Sequence, residues 1–104
     1  LTGMPYLHQG LVFNNQGMVE KLWSNSPMDK AGVPLGDMVW SVDKNAPLPP
    51  EQKKLETQLD ALTSGPHDLF LVSPVDRDKA IVQMNQDHTN NFNPKRQKVA
   101  LTVL

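Results

Sequence analysis

Short hydrophobic runs separated by turn-forming residues organise the first half of the chain. Residues 10–13 (GLVF) form one run, and the NNQG sequence after it favours a tight turn, because Asn and Gly tolerate positive φ. Side-chain character alternates over residues 18–23, as in a half-buried strand, and residues 38–42 form a further apolar run around Trp40. The pattern predicts three strands in this half of the chain.

Two segments carry the signals of helices. Ser26 is a capping residue, Pro27 fits a first helical position because no N–H is needed there, and Gly32 favours the left-handed conformation that ends a helix. These signals predict a helix of about one to two turns. A second, longer helix is predicted from about Pro50 to Leu62, with an apolar stripe at i, i+4 and i+7. The stripe consists of Leu55, Leu59 and Leu62.

The pattern of apolar and polar residues in the last third of the chain predicts β structure throughout. Residues 69–72 and 80–84 are apolar runs separated by a polar turn at 76–79, residues 85–97 form a polar, Asn-rich loop, and residues 98–104 alternate as a closing strand. No composition shift or repeat divides the chain, so a single domain is predicted. The order of elements predicts an α+β fold, a small antiparallel β-sandwich or partly open barrel of five to six strands capped by two helices.

Composition excludes several functional classes. The 104 residues are 38% hydrophobic and 20% charged, as in an ordinary globular domain, and the net charge of −1 argues against a nucleic-acid partner. No apolar run approaches the roughly 20 residues that span a bilayer, so this segment is not expected to insert into a membrane. With no Cys, thiolate catalysis and Cys-ligated zinc are impossible.

The remaining reactive residues form no catalytic or metal-binding motif. The three histidines are far apart in sequence, without the i, i+4 spacing of a helical metal site, and no Ser lies in a nucleophile elbow. Asp76 and Asp78 flank Arg77 without the Gly and terminal Glu of a calcium loop, so a solvated turn is the simpler interpretation. The sequence therefore predicts no cofactor, no metal and no enzymatic activity for this chain by itself.

Residues 26–33 (SPMDKAGV) and 36–43 (GDMVWSVD) together resemble the central signature of PDZ domains. The family pattern combines a small residue and Pro at a helix start, an Ala-Gly end, and a Gly-Asp pair that opens a strand leading to a polar turn. Either half alone is weak, whereas both at this spacing are fairly specific. The resemblance covers residues 7–84 best. It favours the bacterial branch found in HtrA-type proteases, C-terminal processing proteases, site-2 proteases and secretion proteins.

This resemblance implies a peptide-binding groove between a sheet edge and the longer helix. An extended peptide adds itself there as a further strand, and backbone N–H groups at one end hold a terminal carboxylate. Gly10, Leu11, Val12 and Phe13 resemble the family's Gly-Leu-Gly-Phe loop, but Val12 stands where the family has Gly. Carboxylate capture is disfavoured because a β-branched residue resists positive φ. The residues assigned to the helical wall are Lys54, Leu55 and Gln58.

Two functions are compatible with the sequence. The first is a peptide- or protein-binding module that takes up a C-terminus or an internal segment, as part of a larger protein of the bacterial envelope or periplasm that could itself be a protease. The second is a structural or regulatory domain whose groove is occluded and which docks to its parent protein or oligomerises. Val12, the Asn-rich loop and the closing strand at 98–104 motivate the second hypothesis.

Overall fold

A computed structural model describes residues 6–43, 52–87 and 95–104. A turn of 3-10 type at Leu7–Gly10 precedes the first strand. The five strands are β1 (Leu11–Phe13), β2 (Val19–Leu22), β3 (Met38–Val42), β4 (Gly65–Val72) and β5 (Gln97–Val103). The three helices are α1 (Pro27–Ala31), α2 (Gln52–Asp60) and α3 (Pro74–Asp87).

The strands form two antiparallel sheets. One is the β1–β2 hairpin and the other has the order β3-β4-β5. An isolated bridge between Met18 and Met38 joins the sheets, and Val19 donates its N–H to Asp37 O at 2.8 Å while accepting from Gly36 N at 2.8 Å. The predicted α+β class and the antiparallel pairing are confirmed. The fold has three helices among the described residues, not the predicted two.

The first helix follows its sequence signals closely. Ser26 Oγ accepts the N–H of Asp29 at 3.2 Å, Pro27 opens the helix, and Gly32 closes it in the left-handed region at φ 76°. Each of these contacts spans four residues or fewer in sequence. The prediction of a short helix here is confirmed because every interaction that defines it is local.

The prediction for residues 76–84 is wrong. The expected polar turn at 76–79 and strand at 80–84 form α3, which also takes in residues 85–87 of the predicted polar loop. Ser73 Oγ accepts the N–H of Asp76 at 3.1 Å, and Pro74 occupies the first helical position, so the segment begins with a capped helix start. Ala80 is fully buried against the β3–β4 sheet.

The main core lies between the two sheets, α1 and α2. It collects apolar side chains from both sheets and both helices, with the largest fully buried ones including Leu11, Met28, Leu55, Leu59, Leu69, Leu71 and Leu101. A smaller cluster beneath α3 contains Met38, Trp40, Val72 and Ala80. Two clusters sharing one sheet explain why β3 is buried along its whole length.

The closing strand is a structural part of the core. β5 pairs with β4 from Gly65↔Val103 to Leu71↔Gln97, and its buried side chains alternate as the sequence predicts. The buried set is Val99, Leu101 and Val103. The predicted helix start near residue 50 and most of the predicted polar loop lie outside the described residues. None of the described helices is long and apolar enough to cross a bilayer.

Replacing Leu101 should reveal how much the closing strand contributes to the free energy of unfolding. Leu101→Ala is expected to lower the free energy of unfolding by about 2–5 kcal/mol, because Leu101 is completely buried and a cavity would remain. Thr102→Ala, the exposed neighbour on the same strand, should change it by less than about 0.5 kcal/mol. Urea denaturation of both variants measures the difference, and equal stabilities would contradict the assignment of β5 to the core.

Candidate functional site

Three successive left-handed residues form the turn that leads into β1. His8, Gln9 and Gly10 have φ of 53°, 58° and 87°. This region costs little for Gly but is uncommon for residues with a Cβ. Such conformations persist only when surrounding contacts hold them, and they concentrate at binding sites. The turn therefore needs specific contacts to hold it.

Gly10 lies directly against the cap of α1. A Cβ at Gly10 would overlap the Ser26 side chain, which is itself completely buried. The carbonyl oxygen of Gly10 accepts the N–H of Trp23 at 2.9 Å, which closes the β1–β2 hairpin. Gly10 is thus required twice, once for its φ and once for its close approach to α1.

His8 joins the turn to α2. Its ring Nε2 lies 2.8 Å from Glu56 Oε2, and its ring Nδ1 lies 3.0 Å from Asp60 Oδ2. The backbone N–H of His8 also donates to Asp60 Oδ1 at 2.9 Å. Glu56 and Asp60 are one helical turn apart on α2, so both carboxylates reach the same imidazole. We call this group of His8, Glu56 and Asp60 the histidine clamp.

The clamp has a simple hydrogen-bonding requirement. Carboxylate oxygens only accept hydrogen bonds, so each ring nitrogen of His8 that bonds to one must carry a proton. A neutral imidazole has one N–H, whereas the imidazolium has two. The two contacts are therefore made simultaneously only by the charged ring, and the clamp then holds two negative charges and one positive charge.

A pocket of about 240 Å³ opens beside the turn and β1. We call it the loop pocket; it is lined by Leu7, His8, Leu11, Val12, Phe13, Trp23 and Glu56. Its outer rim is apolar and accessible, with Leu7 72% and Trp23 49% exposed. Lys21 places its ammonium 4.9 Å from the centroid of the Trp23 ring. The pocket therefore combines apolar walls with one carboxylate, that of Glu56, at the α2 end.

The residues expected at the site are divided between different places. Leu11, Val12 and Phe13 line the loop pocket, and Gly10 packs beneath it. Leu55 is 1% exposed and belongs to the core. Lys54 and Gln58 line a separate depression with two neighbours on α2, and that depression shares no residue with the loop pocket. The structure thus brings the predicted loop residues together but not the predicted helical ones.

Glu56 and Asp60 are the α2 residues that sequence reasoning missed. With Leu55 and Leu59 buried in the core, the positions that follow each leucine lie on the side of α2 that meets the turn. The i, i+4 spacing of Glu56 and Asp60 was the available signal, because it predicts two carboxylates on one helical face. Their partner His8 lies 48 residues before Glu56 in the sequence, and no local pattern connects them.

Backbone donors near the turn are already engaged. Leu11 donates its N–H to the carbonyl oxygen of His8, so the first amide of the expected carboxylate loop has a partner within the turn. Val12 is paired with Lys21 across the hairpin. β1 pairs with β2 on one side and with no other strand among the described residues, and Leu11, Val12 and Phe13 line the loop pocket.

A second histidine connects the segment after α2 to the larger sheet. His67 on β4 places Nδ1 2.7 Å from Asp43 Oδ2 and Nε2 2.8 Å from Thr63 O. Hydrogen bonding to the Asp43 carboxylate and to the Thr63 carbonyl raises the pKa of His67. Hydrogen bonds from His67 and from the N–H of Asp68 lower the pKa of Asp43. These contacts connect β3, β4 and the loop after α2.

The described part of the chain holds no group of three or more His, Cys, Asp or Glu side chains able to bind a metal ion.

Comparison with known proteins adds no identification. No family model matches the chain, and no protein of curated function is detectably similar to it. The function must therefore be argued from the geometry of the turn, β1 and α2.

The need for glycine in the turn is testable with a matched pair. Gly10 and Gly36 have nearly identical φ values of 87° and 88°, but a Cβ on Gly36 meets nothing within 4 Å. Gly36→Ala should cost about 1 kcal/mol of stability for the left-handed backbone alone. Gly10→Ala should cost about 1–3 kcal/mol more, because its methyl group overlaps Ser26. Equal losses in urea denaturation would show that the close approach is unimportant.

The His67–Asp43 pair predicts a pH window for stability. Because the pKa of His67 is raised from 6.5, its contribution is full below that pH and is lost as pH rises through the folded-state pKa. Because the pKa of Asp43 is lowered from 3.8, its contribution is full above that pH and is lost as pH falls. The pair therefore stabilises the fold most between 3.8 and 6.5.

Thermal unfolding of His67→Gln across pH checks this window. The variant should lose on the order of 1 kcal/mol near pH 5, since Asp43 remains partly exposed to solvent, and less near pH 9 or pH 2. Asp43→Asn should give the same profile, and adding it to His67→Gln should cost little more. A loss that is constant across pH would contradict the charge-based explanation.

Proposed function

We propose that this chain is a peptide-binding module of the PDZ type, which takes up an extended segment between β1 and α2. The observation that carries the proposal is the loop pocket beside the second edge of β1. An exposed strand edge offers backbone groups to an incoming strand, and neighbouring apolar pockets select its side chains. The sequence resemblance over residues 26–43 supports the same interpretation.

The elements around the pocket suit this mode of binding. Leu11 and Phe13 are buried, so β1 is fixed to the core, while Val12 is half-buried and contributes to the pocket wall. A peptide that lies along β1 would extend the hairpin to three strands and place alternate side chains towards the pocket. In this proposal the chain binds and does not catalyse, and any proteolytic activity would belong to other parts of a larger protein.

One observation favours the alternative of an occluded groove. The histidine clamp spans from the turn to α2 and closes one end of the space between β1 and α2. The closing strand is not the occluding element, because β5 is paired with β4 and buried in the core. A regulatory domain would use the clamp to keep the groove shut until docking to its parent protein or a second copy opens it.

Placement in the bacterial envelope is part of our proposal and depends on the sequence resemblance alone.

Peptide titration followed by amide chemical shifts tests the proposed groove. Peptides selected from a random library should shift the resonances of residues 8–13 and of the α2 face that carries Glu56. Val12→Asp should weaken binding at least about tenfold, because it places a charge in the apolar wall next to the added strand. Val82→Asp is the matched control, since Val82 is an exposed valine on α3, outside the pocket. Shifts confined to other surfaces, or equal binding by both variants, would refute the groove.

A further inference from the structure

We infer that the loop pocket selects an internal peptide segment that carries a basic side chain, and that it discriminates against a free C-terminal carboxylate. This inference builds on the proposed function and specifies its ligand. It follows from three features of the same few residues: the engaged donors of the turn, the two carboxylates of the histidine clamp, and the apolar walls that continue from them.

The donors that would hold a terminal carboxylate already bond to protein oxygens. The N–H of His8 and its ring Nδ1 face Asp60, its ring Nε2 faces Glu56, and the N–H of Leu11 bonds to the carbonyl of His8. A carboxylate entering here would have to displace these internal acceptors. The ligand carboxylate would gain no net hydrogen bond by this displacement. The carboxylate of Glu56 or Asp60 that it displaced would lose its own partner.

The charges around the α2 end of the pocket also oppose an anion. Glu56 and Asp60 leave one net negative charge when His8 is protonated, and their side chains remain 30% and 47% exposed. The ammonium of Lys21 lies over the Trp23 ring at the apolar rim, where it already has a partner. A ligand carboxylate at the α2 end would therefore be repelled, whereas a Lys or Arg side chain would be attracted.

The apolar wall of the pocket determines which other side chains the ligand carries. Leu11, Val12 and Phe13 provide an apolar wall along β1, and Trp23 is half exposed at the rim. An apolar ligand side chain fits between these residues, while a neighbouring basic side chain reaches the Glu56 carboxylate in the pocket lining. An internal segment brings no terminal charge to this end of the pocket, so its basic side chain meets the clamp without an opposing carboxylate.

Matched peptides separate this inference from the proposed function. A random library of peptides about nine residues long is synthesised with free C-termini and with C-terminal amides, and the best binders are measured in both forms by tryptophan fluorescence. The amides should bind about tenfold more tightly than the acids, and replacing the basic residue by norleucine should weaken binding by a similar factor. Both differences should shrink in about 1 M salt, because screening shortens the reach of the charges.

A charge-reversal variant identifies the responsible residue. Glu56→Lys should invert the preference, so that acids bind more tightly than amides, and Asp78→Asn on α3 is the control that removes one negative charge outside the pocket. Circular dichroism verifies that each variant is folded. Acids that bind as well as amides to the unaltered chain would overturn the inference while leaving the groove intact. Failure of every peptide to bind would overturn the proposed function, and the inference with it.

Discussion

The close approach of Gly10 to Ser26 is the contact on which the arrangement of the site depends. Ser26 caps α1, and the absent side chain of Gly10 lets the turn lie directly on that cap. The same glycine accepts the N–H of Trp23 and so aligns the β1–β2 hairpin. These two contacts of one residue fix α1, the hairpin and the left-handed turn relative to each other. The orientation of His8 towards α2 follows from that turn.

At His8, hydrogen bonds to residues distant in the sequence offset the free-energy cost of a left-handed backbone. Two left-handed residues that are not glycine, His8 and Gln9, cost on the order of 1–2 kcal/mol each. The hydrogen bonds from His8 to Glu56 and Asp60 involve charged acceptors, and each is worth about 1 kcal/mol or somewhat more in partly exposed surroundings. The favourable hydrogen bonds of the histidine clamp therefore offset part of the free-energy cost of the left-handed turn.

The parts of this protein that sequence predicts are those determined by neighbouring residues. Ser26 to Gly32 contains its own start and stop, and the alternation in β5 identifies the buried side of that strand. The apolar run at residues 80–84 predicts a strand, but the Ser73 cap and the burial of Ala80 accompany a helix there. The residues that α2 presents to the turn depend on how its leucines enter the core, which no local pattern specifies.

The two walls of the candidate groove are held with different strength. β1 is fixed by its hairpin and by the buried Leu11 and Phe13, and its turn is seated on α1. α2 has two fully buried leucines, and polar contacts add to them: the histidine clamp on its face and the His67 contact just after its end. Segments held by few buried contacts open at lower free energy than the core. A ligand that widens the groove is therefore expected to displace α2 and leave β1 in place.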